Sequence, residues 1–296
     1  MNYLISLLTV CTVIILYIHI VYQLKTSNDL ELFELDTPTK IKLEDVCNLR
    51  QPLLFPFNEE NIDQCNVSKC MEYKAFDITI YDSSYNPFQC SLEKAMKLFD
   101  TTSYISMNNS EFLNETTLSK YYIETDSFLR PPMVSSIMYD ILFGSIGANT
   151  RLSYSIHYRN YIYVSDGTIQ IKLTPPRNSK YLDLQKDYAN QEYYSPINVW
   201  KQIPEKVKFL EFKLTKGQML FLPAYWWYTI QFEEKACVCT LQYKTVMNVI
   251  ATLPDMIIGI LQRQNTKTKL KINRPSLVNL SSSDESHTSI VHGEPR

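Results

Sequence analysis

His157 is the residue of this chain best suited to do chemistry, and little around it is suited to help. The 296 residues hold four histidines. His19 lies in an apolar run near the N-terminus, and His287 and His292 lie in a polar C-terminal stretch, so His157 stands alone in the part patterned to fold. A neutral imidazole there could act as a general base or give one ligand to a metal ion. Arg159, two positions on, brings a permanent positive charge and no lone pair. A non-standard metal centre would draw on His157, Asp166 and a third group. A Ser/His or Cys/His nucleophile would need a partner that nothing in the sequence singles out. The signatures GxSxG, GxGxxG, HExxH and the P-loop are absent. The plainest expectation for His157 is a partly buried imidazole with one hydrogen bond.

The seven cysteines are the other reactive set. Cys47, Cys65, Cys70 and Cys90 fall in one stretch, where they form either two disulfides in an oxidising compartment or four structural thiols. Cys65 and Cys70 have no second ligand pair at zinc spacing. Cys237 and Cys239 alternate in an apolar strand and read as small core residues, and Cys11 lies in the apolar N-terminal run.

The elements that must position these residues follow from hydrophobic pattern. Tyr3 to Tyr22 is uncharged and almost wholly apolar. Twenty residues at about 1.5 Å each span roughly 30 Å, the thickness of a bilayer core. A cleavable signal would carry a basic leading segment and a small-residue cleavage site, and neither is present. Residues 1–24 are therefore expected to anchor the chain, residues 25–36 to form a polar linker, 37–265 to form one domain, and the Ser-rich 266–296 to be disordered. A hydrophobic content of 45% suits a packed core, and a net charge of −2 gives no reason to expect nucleic acid. The sequons at Asn66, Asn108, Asn114 and Asn279 are no more than chance supplies in a chain so rich in Asn, Ser and Thr.

Within the domain, Ser91–Phe99 predicts an amphipathic helix with Leu92, Ala95, Met96 and Phe99 on one face and Ser91 as N-cap. A second helix starts near Ser110. From Thr150 the pattern is β. Tyr154–Val164 and Thr168–Leu173 alternate around Asp166-Gly167, a hairpin signal. Lys206–Leu214 and Gln218–Leu222 flank Gly217. Trp227–Phe232 and Ala236–Tyr243 predict a further hairpin. Several short strands with such turns imply a sandwich or jelly roll. Val246–Leu261 has a helical period broken at Pro254.

Leu214–Phe232, LTKGQMLFLPAYWWYTIQF, carries a resemblance. Its glycine Gly217, proline Pro223 and pair Trp226-Trp227 resemble the signature of the JmjC/cupin-like oxygenases, nearest the cupin-like branch that contains an asparaginyl hydroxylase. Tyr139–Gly144, His157–Tyr161 and Leu173–Pro176 extend the likeness over roughly 35–265. It implies a mainly β domain with flanking helices, a double-stranded β-helix, following the N-terminal transmembrane helix. In that family two histidines and a carboxylate hold Fe(II), with open positions for 2-oxoglutarate and oxygen. Tyr228 stands where the second histidine belongs. Aligning on Gly167 and Pro175-Pro176 puts Tyr154 at the first histidine, Ile156 at the acid and Asn160 at a family asparagine; aligning on His157 puts Arg159 at the acid. On a continuous strand Tyr154 and Ile156 face one way and His157 the other. The basic anchor for 2-oxoglutarate falls on Ile169, with Lys172 on the opposite face.

The resemblance thus implies a degenerate pocket of Tyr154, Ile156, His157, Arg159, Asn160, Trp226, Trp227 and Tyr228, without metal or cofactor, either filled by its own aromatics or still binding something. The implied protein is a membrane-bound pseudo-oxygenase of a metal-less subgroup associated with large DNA viruses, acting as a binding or structural module on a virion or host internal membrane. The alternative is an Fe(II)/2-oxoglutarate-dependent protein hydroxylase with an unusual ligand set. Expected partners are the membrane, through residues 3–22, an unknown protein, and a second copy through 246–264, since related hydroxylases dimerise by C-terminal helices.

Overall fold

The computed structural model describes residues 2–265; the stretch 266–296 expected to be disordered, with His287 and His292, lies outside the described residues. Among these the helices are α1 (Asn2–Leu24), α2 (Lys40–Leu49), α3 (Glu60–Asp63), α4 (Val67–Cys70), α5 (Leu92–Phe99), α6 (Ser110–Glu115), α7 (Ser119–Leu129) and α8 (Val246–Asn265). The strands are β1 (Phe33–Glu34), β2 (Leu53–Pro56), β3 (Asp77–Tyr81), β4 (Pro87–Ser91), β5 (Ile105–Ser106), β6 (Val134–Gly144), β7 (Ser153–Tyr154), β8 (Arg159–Asp166), β9 (Thr168–Thr174), β10 (Gln185–Asp187), β11 (Glu192–Tyr194), β12 (Leu210–Thr215), β13 (Gln218–Pro223), β14 (Trp227–Phe232) and β15 (Ala236–Thr245).

The strands form two sheets. The larger runs β1-β2-β13-β8-β15-β6-β5-β3-β4, and the smaller runs β10-β11-β7-β14-β9-β12. From β6 to β9 and again from β12 to β15, each strand lies in the sheet opposite its predecessor. The pairs β8/β9, β12/β13 and β14/β15 are therefore not hairpins, contrary to the local turn signals. Asp166-Gly167, Lys216-Gly217 and Glu233–Lys235 are corners that hand the chain from one sheet to the other. Turn chemistry specifies reversal of direction but not whether the two arms hydrogen-bond to each other. Gly167 (φ +80°) and Gly217 (φ +81°) occupy the left-handed region these corners require.

Alternation then sorts side chains into three cores. Between the sheets lie Ile162, Val164, Ile169, Ile171, Leu173, Leu220, Leu222, Trp226, Ile230, Phe232 and Val238. On the outside of the larger sheet Tyr161, Tyr163, Cys237, Cys239, Leu241 and Tyr243 pack against Leu43, Cys47, Phe112 and Tyr122 of the flanking helices. A smaller group, Leu152, Leu182, Val199, Val207 and Trp227, sits outside the smaller sheet. Winding strands alternately between two large sheets around an apolar interior is what a cupin-like β fold requires.

Several local expectations shift. Helix α5 buries Leu92, Ala95 and Phe99 as its spacing demands, but Ser91 leads into it without a capping side-chain bond. The strand expected from Lys206 begins at Leu210. Residues 25–36 are tied to the domain, with β1 pairing parallel to β2 and the Ser27 amide donating to the Arg50 carbonyl. Helix α8 continues through Pro254. A proline inside a helix costs about 3 kcal/mol; burial of Ala251, Thr252 and Gly259 on either side holds it in place.

All seven cysteines are free thiols. The four in the N-terminal stretch are not neighbours of one another as a set. Cys47 meets the Tyr161 hydroxyl (3.7 Å), Cys90 is half-buried on β4, and Cys65 and Cys70 lie with Cys237 and Cys239, where the Cys237 thiol reaches the Cys65 carbonyl (3.2 Å). Burial raises the Cys47 thiol to about 11, so it stays protonated.

α1 is exposed over most of its length and is long and apolar enough to cross a membrane, as a signal sequence near an N-terminus also would be.

Candidate functional site: the β7–β8 corner

The expected continuous strand Tyr154–Val164 is interrupted. β7 ends at Tyr154, and β8 begins at Arg159 in the other sheet. Residues 155–158 cross between them and are pinned from three sides. The Tyr225 amide donates to the Ser155 carbonyl (2.9 Å). Asn248 of α8 donates to the Ile156 carbonyl (3.1 Å). Asn160 donates to the carbonyls of His157 (3.3 Å) and Leu222 (3.1 Å). Tyr225 itself sits at φ +67°, a left-handed conformation that costs a non-glycine residue about 1–3 kcal/mol. That strain is stored in the middle of the Pro223–Tyr228 motif.

The break scatters the expected pocket. Tyr154 pairs in register beside Trp227, on the outer face of the smaller sheet, stacked on Tyr193 (centroids 5.1 Å apart) and edge-on to Trp227 (4.9 Å). The Trp227 indole donates to Ser179 (2.8 Å). Trp226 and Tyr228 face the opposite way, into the apolar core between the sheets. Tyr154 and Tyr228, placed by the resemblance at the two histidines, therefore lie on opposite faces of one sheet. Ile156 is buried and offers no donor atom. Arg159 points out of the larger sheet to α2, where its guanidinium donates to both carboxylate oxygens of Glu44 (3.1 and 2.5 Å). His157 makes one side-chain bond, between Nδ1 and the Ser155 hydroxyl (2.7 Å). Of the eight residues, Ile156, His157 and Asn160 meet at the corner.

Electrostatics set the protonation of the two remaining candidate donors. Burial and the Lys244 ammonium push His157 down to about 3, so its imidazole is neutral. Burial raises the Tyr228 phenol to about 12, assisted by the nearby Asp140 carboxylate. A phenol that holds its proton is a poor ligand beside the imidazoles and carboxylates that ferrous iron takes. Asp166 is at the far end of β8 from His157. Eight strand residues at about 3.3 Å separate them by some 23 Å or more, so the two cannot share an ion. Among the described residues no group of three or more His, Cys, Asp or Glu side chains could hold a metal. At the expected 2-oxoglutarate anchor, Ile169 is in the apolar core, while Lys172 lies outside, over Trp200 (4.4 Å) and near Glu211 (3.4 Å). The residues present fit neither Fe(II) nor its cosubstrate.

What the corner does hold is a set of unpaired polar atoms. Asn160 Oδ1, Asn248 Oδ1 and Gln242 Oε1 are buried there without a hydrogen-bond partner, as is Trp226 Nε1 in the apolar core between the sheets. Gln242 pairs in register with Asn160, so the two share a face. Buried unpaired atoms of this kind cost about 1–3 kcal/mol each, and three of the four gather around the corner. Gln242 and Asn248 were not expected as site residues. The available signal was a glutamine breaking the apolar alternation of Ala236–Tyr243. A separate cavity of about 220 Å³ lies outside the smaller sheet, lined by Tyr85, Arg151, Tyr194, Asn198, Trp200 and Thr229; none of the expected site residues reaches it.

His157 gives a pH prediction. Its folded value lies below the usual 6.5, so its contribution is complete above pH 6.5 and is lost as pH falls toward 3. Asp140, raised to about 6 by burial, has the opposite sign, since protonating it favours the fold. The His157 share must therefore be read by difference. Urea titrations of the wild type and His157→Gln should show the wild type losing about 2–3 kcal/mol more between pH 7 and pH 4.5. Parallel pH profiles would mean that the imidazole is solvated.

Residues 85–246 match the family model of the cupin-like domain. No curated protein matches the chain. The matched span covers more than half of the sequence and runs from the β3–β4 turn to the start of α8, taking in every strand that winds between the sheets and the whole β7–β8 corner. On that match and this strand order, the chain belongs to the family of cupin-like domain proteins.

Proposed function

We propose that this protein is a single-pass, N-terminally anchored membrane protein whose cupin-like domain, a degenerate double-stranded β-helix, works as a binding or structural module without iron chemistry, on a virion or internal membrane. The observation that carries the reading is the fate of the three ligand positions. Tyr154 has left the interior, Ile156 has no lone pair, and Tyr228 is a protonated phenol against an apolar core. Scaffold motifs persist while the donors converge nowhere. The anchor rests on α1, uncharged from Tyr3 to Tyr22 and exposed there except at the half-buried Ile20. The binding role rests on the corner, where three acceptors (Asn160, Gln242 and Asn248) suit a small group rich in N–H or O–H.

The test is anaerobic titration of the detergent-solubilised full chain with Fe(II) and 2-oxoglutarate, with metal content measured after desalting. Neither should bind stoichiometrically. One retained iron per chain, lost on His157→Ala, would overturn the reading and make an oxygenase of it.

A further inference from the structure

Helix α8 is built inside out. On a water-soluble domain a surface helix turns its apolar stripe to the core and its polar stripe to water. In α8 the buried stripe is Asn248, Ala251, Thr252 and Gly259, with Asp255 on the same side accepting from the Tyr193 hydroxyl (3.2 Å). The outward stripe is Ile250, Leu253, Ile257, Ile258, Ile260 and Leu261, from 39% to 56% exposed.

The helix cannot roll over to correct this. Asn248 is bonded to the β7–β8 corner, and Arg263 donates from Nε to the Ala189 carbonyl (2.7 Å) in the β10–β11 turn. Gly259 lies so close to the Tyr188 carbonyl that a Cβ there would stand 2.4 Å from the oxygen. The apolar stripe is thus fixed outward by contacts at both ends and the middle. α1, itself apolar on all sides, is in contact with α8. The two present one continuous apolar surface, and a bilayer that covers α1 reaches the outward stripe of α8.

We infer that α8 is a second membrane element, which does not cross the bilayer but lies in its headgroup–acyl boundary with Ile250, Leu253, Ile257, Ile258, Ile260 and Leu261 immersed. The side of α8 that holds Asn248, Thr252 and Asp255 stays on the domain, which rules out a lipid-surrounded span. Twenty residues at about 1.5 Å give a contact line of roughly 30 Å, the usual form of an interfacial amphipathic helix. The cupin-like domain then sits flat on the membrane, and Asn248 places the unpaired polar corner just above the lipid. The inference rests on the membrane-anchored reading.

The experiment uses the full chain with Cys11→Ser, whose remaining native thiols are buried or half-buried. Single cysteines at Ile257→Cys, Ile260→Cys or, as the solvent control, Lys216→Cys carry an environment-sensitive fluorophore; the chain without an added cysteine gives the background. The protein is reconstituted into phosphatidylcholine vesicles with or without brominated acyl chains. Probes at 257 and 260 should lose about half or more of their emission to brominated lipid and resist aqueous iodide, with the reverse at 216. Iodide quenching at 257 and 260 in vesicle-bound protein overturns the inference and leaves the anchor standing. Protection from both quenchers, with cross-linking of Ile257→Cys between two copies, also overturns it and makes α8 a dimer face. Failure of the chain to float with vesicles removes the anchored reading itself.

Discussion

Glu44→Ala should lower the stability of the folded domain by about 3–5 kcal/mol, the usual result of stripping the partner from a buried charge. Arg159 is 1% exposed, and its guanidinium is held by Glu44 through two hydrogen bonds from β8 to α2. Without Glu44 the positive charge would stay between Cys47, Tyr158 and Tyr161 with no counter-charge, because an arginine side chain does not give up its proton. In a domain of this size each kcal/mol moves the melting midpoint by about 2–4 °C, so a fall of roughly 6–20 °C is expected by scanning calorimetry. The double replacement Arg159→Met, Glu44→Leu should recover much of the loss, since an apolar pair of similar volume removes the desolvation problem. A fall of under 2 °C for Glu44→Ala would mean that water reaches the guanidinium. The pH dependence has a defined sign. Burial alone would raise the Glu44 carboxyl, but hydrogen bonds and charge from Arg159 and Lys40 outweigh it and hold it below the usual value. Its stabilisation is therefore complete above the unfolded carboxylate value and disappears as pH falls through the folded one.

Gly167→Val is the second large effect, and a paired control separates its two causes. Gly167 turns the chain from β8 to β9 at φ +80°, and a Cβ added there would meet Ala236 Cβ at 2.7 Å and the Lys235 carbonyl at 2.8 Å. Left-handed backbone costs an L-residue about 1–2 kcal/mol, and forcing atoms into a packed site adds about 1–3 kcal/mol. The sum, about 2–5 kcal/mol or more for the branched valine, falls on a corner that both sheets depend on. Gly147 has a similar φ of +76° with nothing within 4 Å of a Cβ, so Gly147→Ala should show the backbone term alone. Equal losses at the two sites in urea titrations would mean that the Ala236 corner yields to the added group.

The sequence by itself determined the elements. An uncharged run of twenty residues makes α1 whatever surrounds it, because length and hydropathy are local properties. Period-two alternation located β9, β13, β14 and β15 and put Ile169 and Lys172 on opposite faces, as they are, since a strand's side-chain geometry is also local. The GQMLFLPAYWW run pointed to a cupin-like domain before any strand pairing was known. Tertiary structure alone decided which strands pair. Asp166-Gly167 has the chemistry of a hairpin, but β8 finds β13 and β15, and β9 finds β12 and β14, because partner choice depends on burying an entire interior, not on the turn. The same crossing broke the strand at 155–158 and separated Tyr154 from Tyr228, which no alternation count across that stretch could foresee. Arg159 belongs to Glu44 over a separation of 115 residues, and Cys65 lies beside Cys237 over 172. Polar contacts of that range exist only once the sheets have closed, so the sequence showed which residues were available and the fold chose their partners.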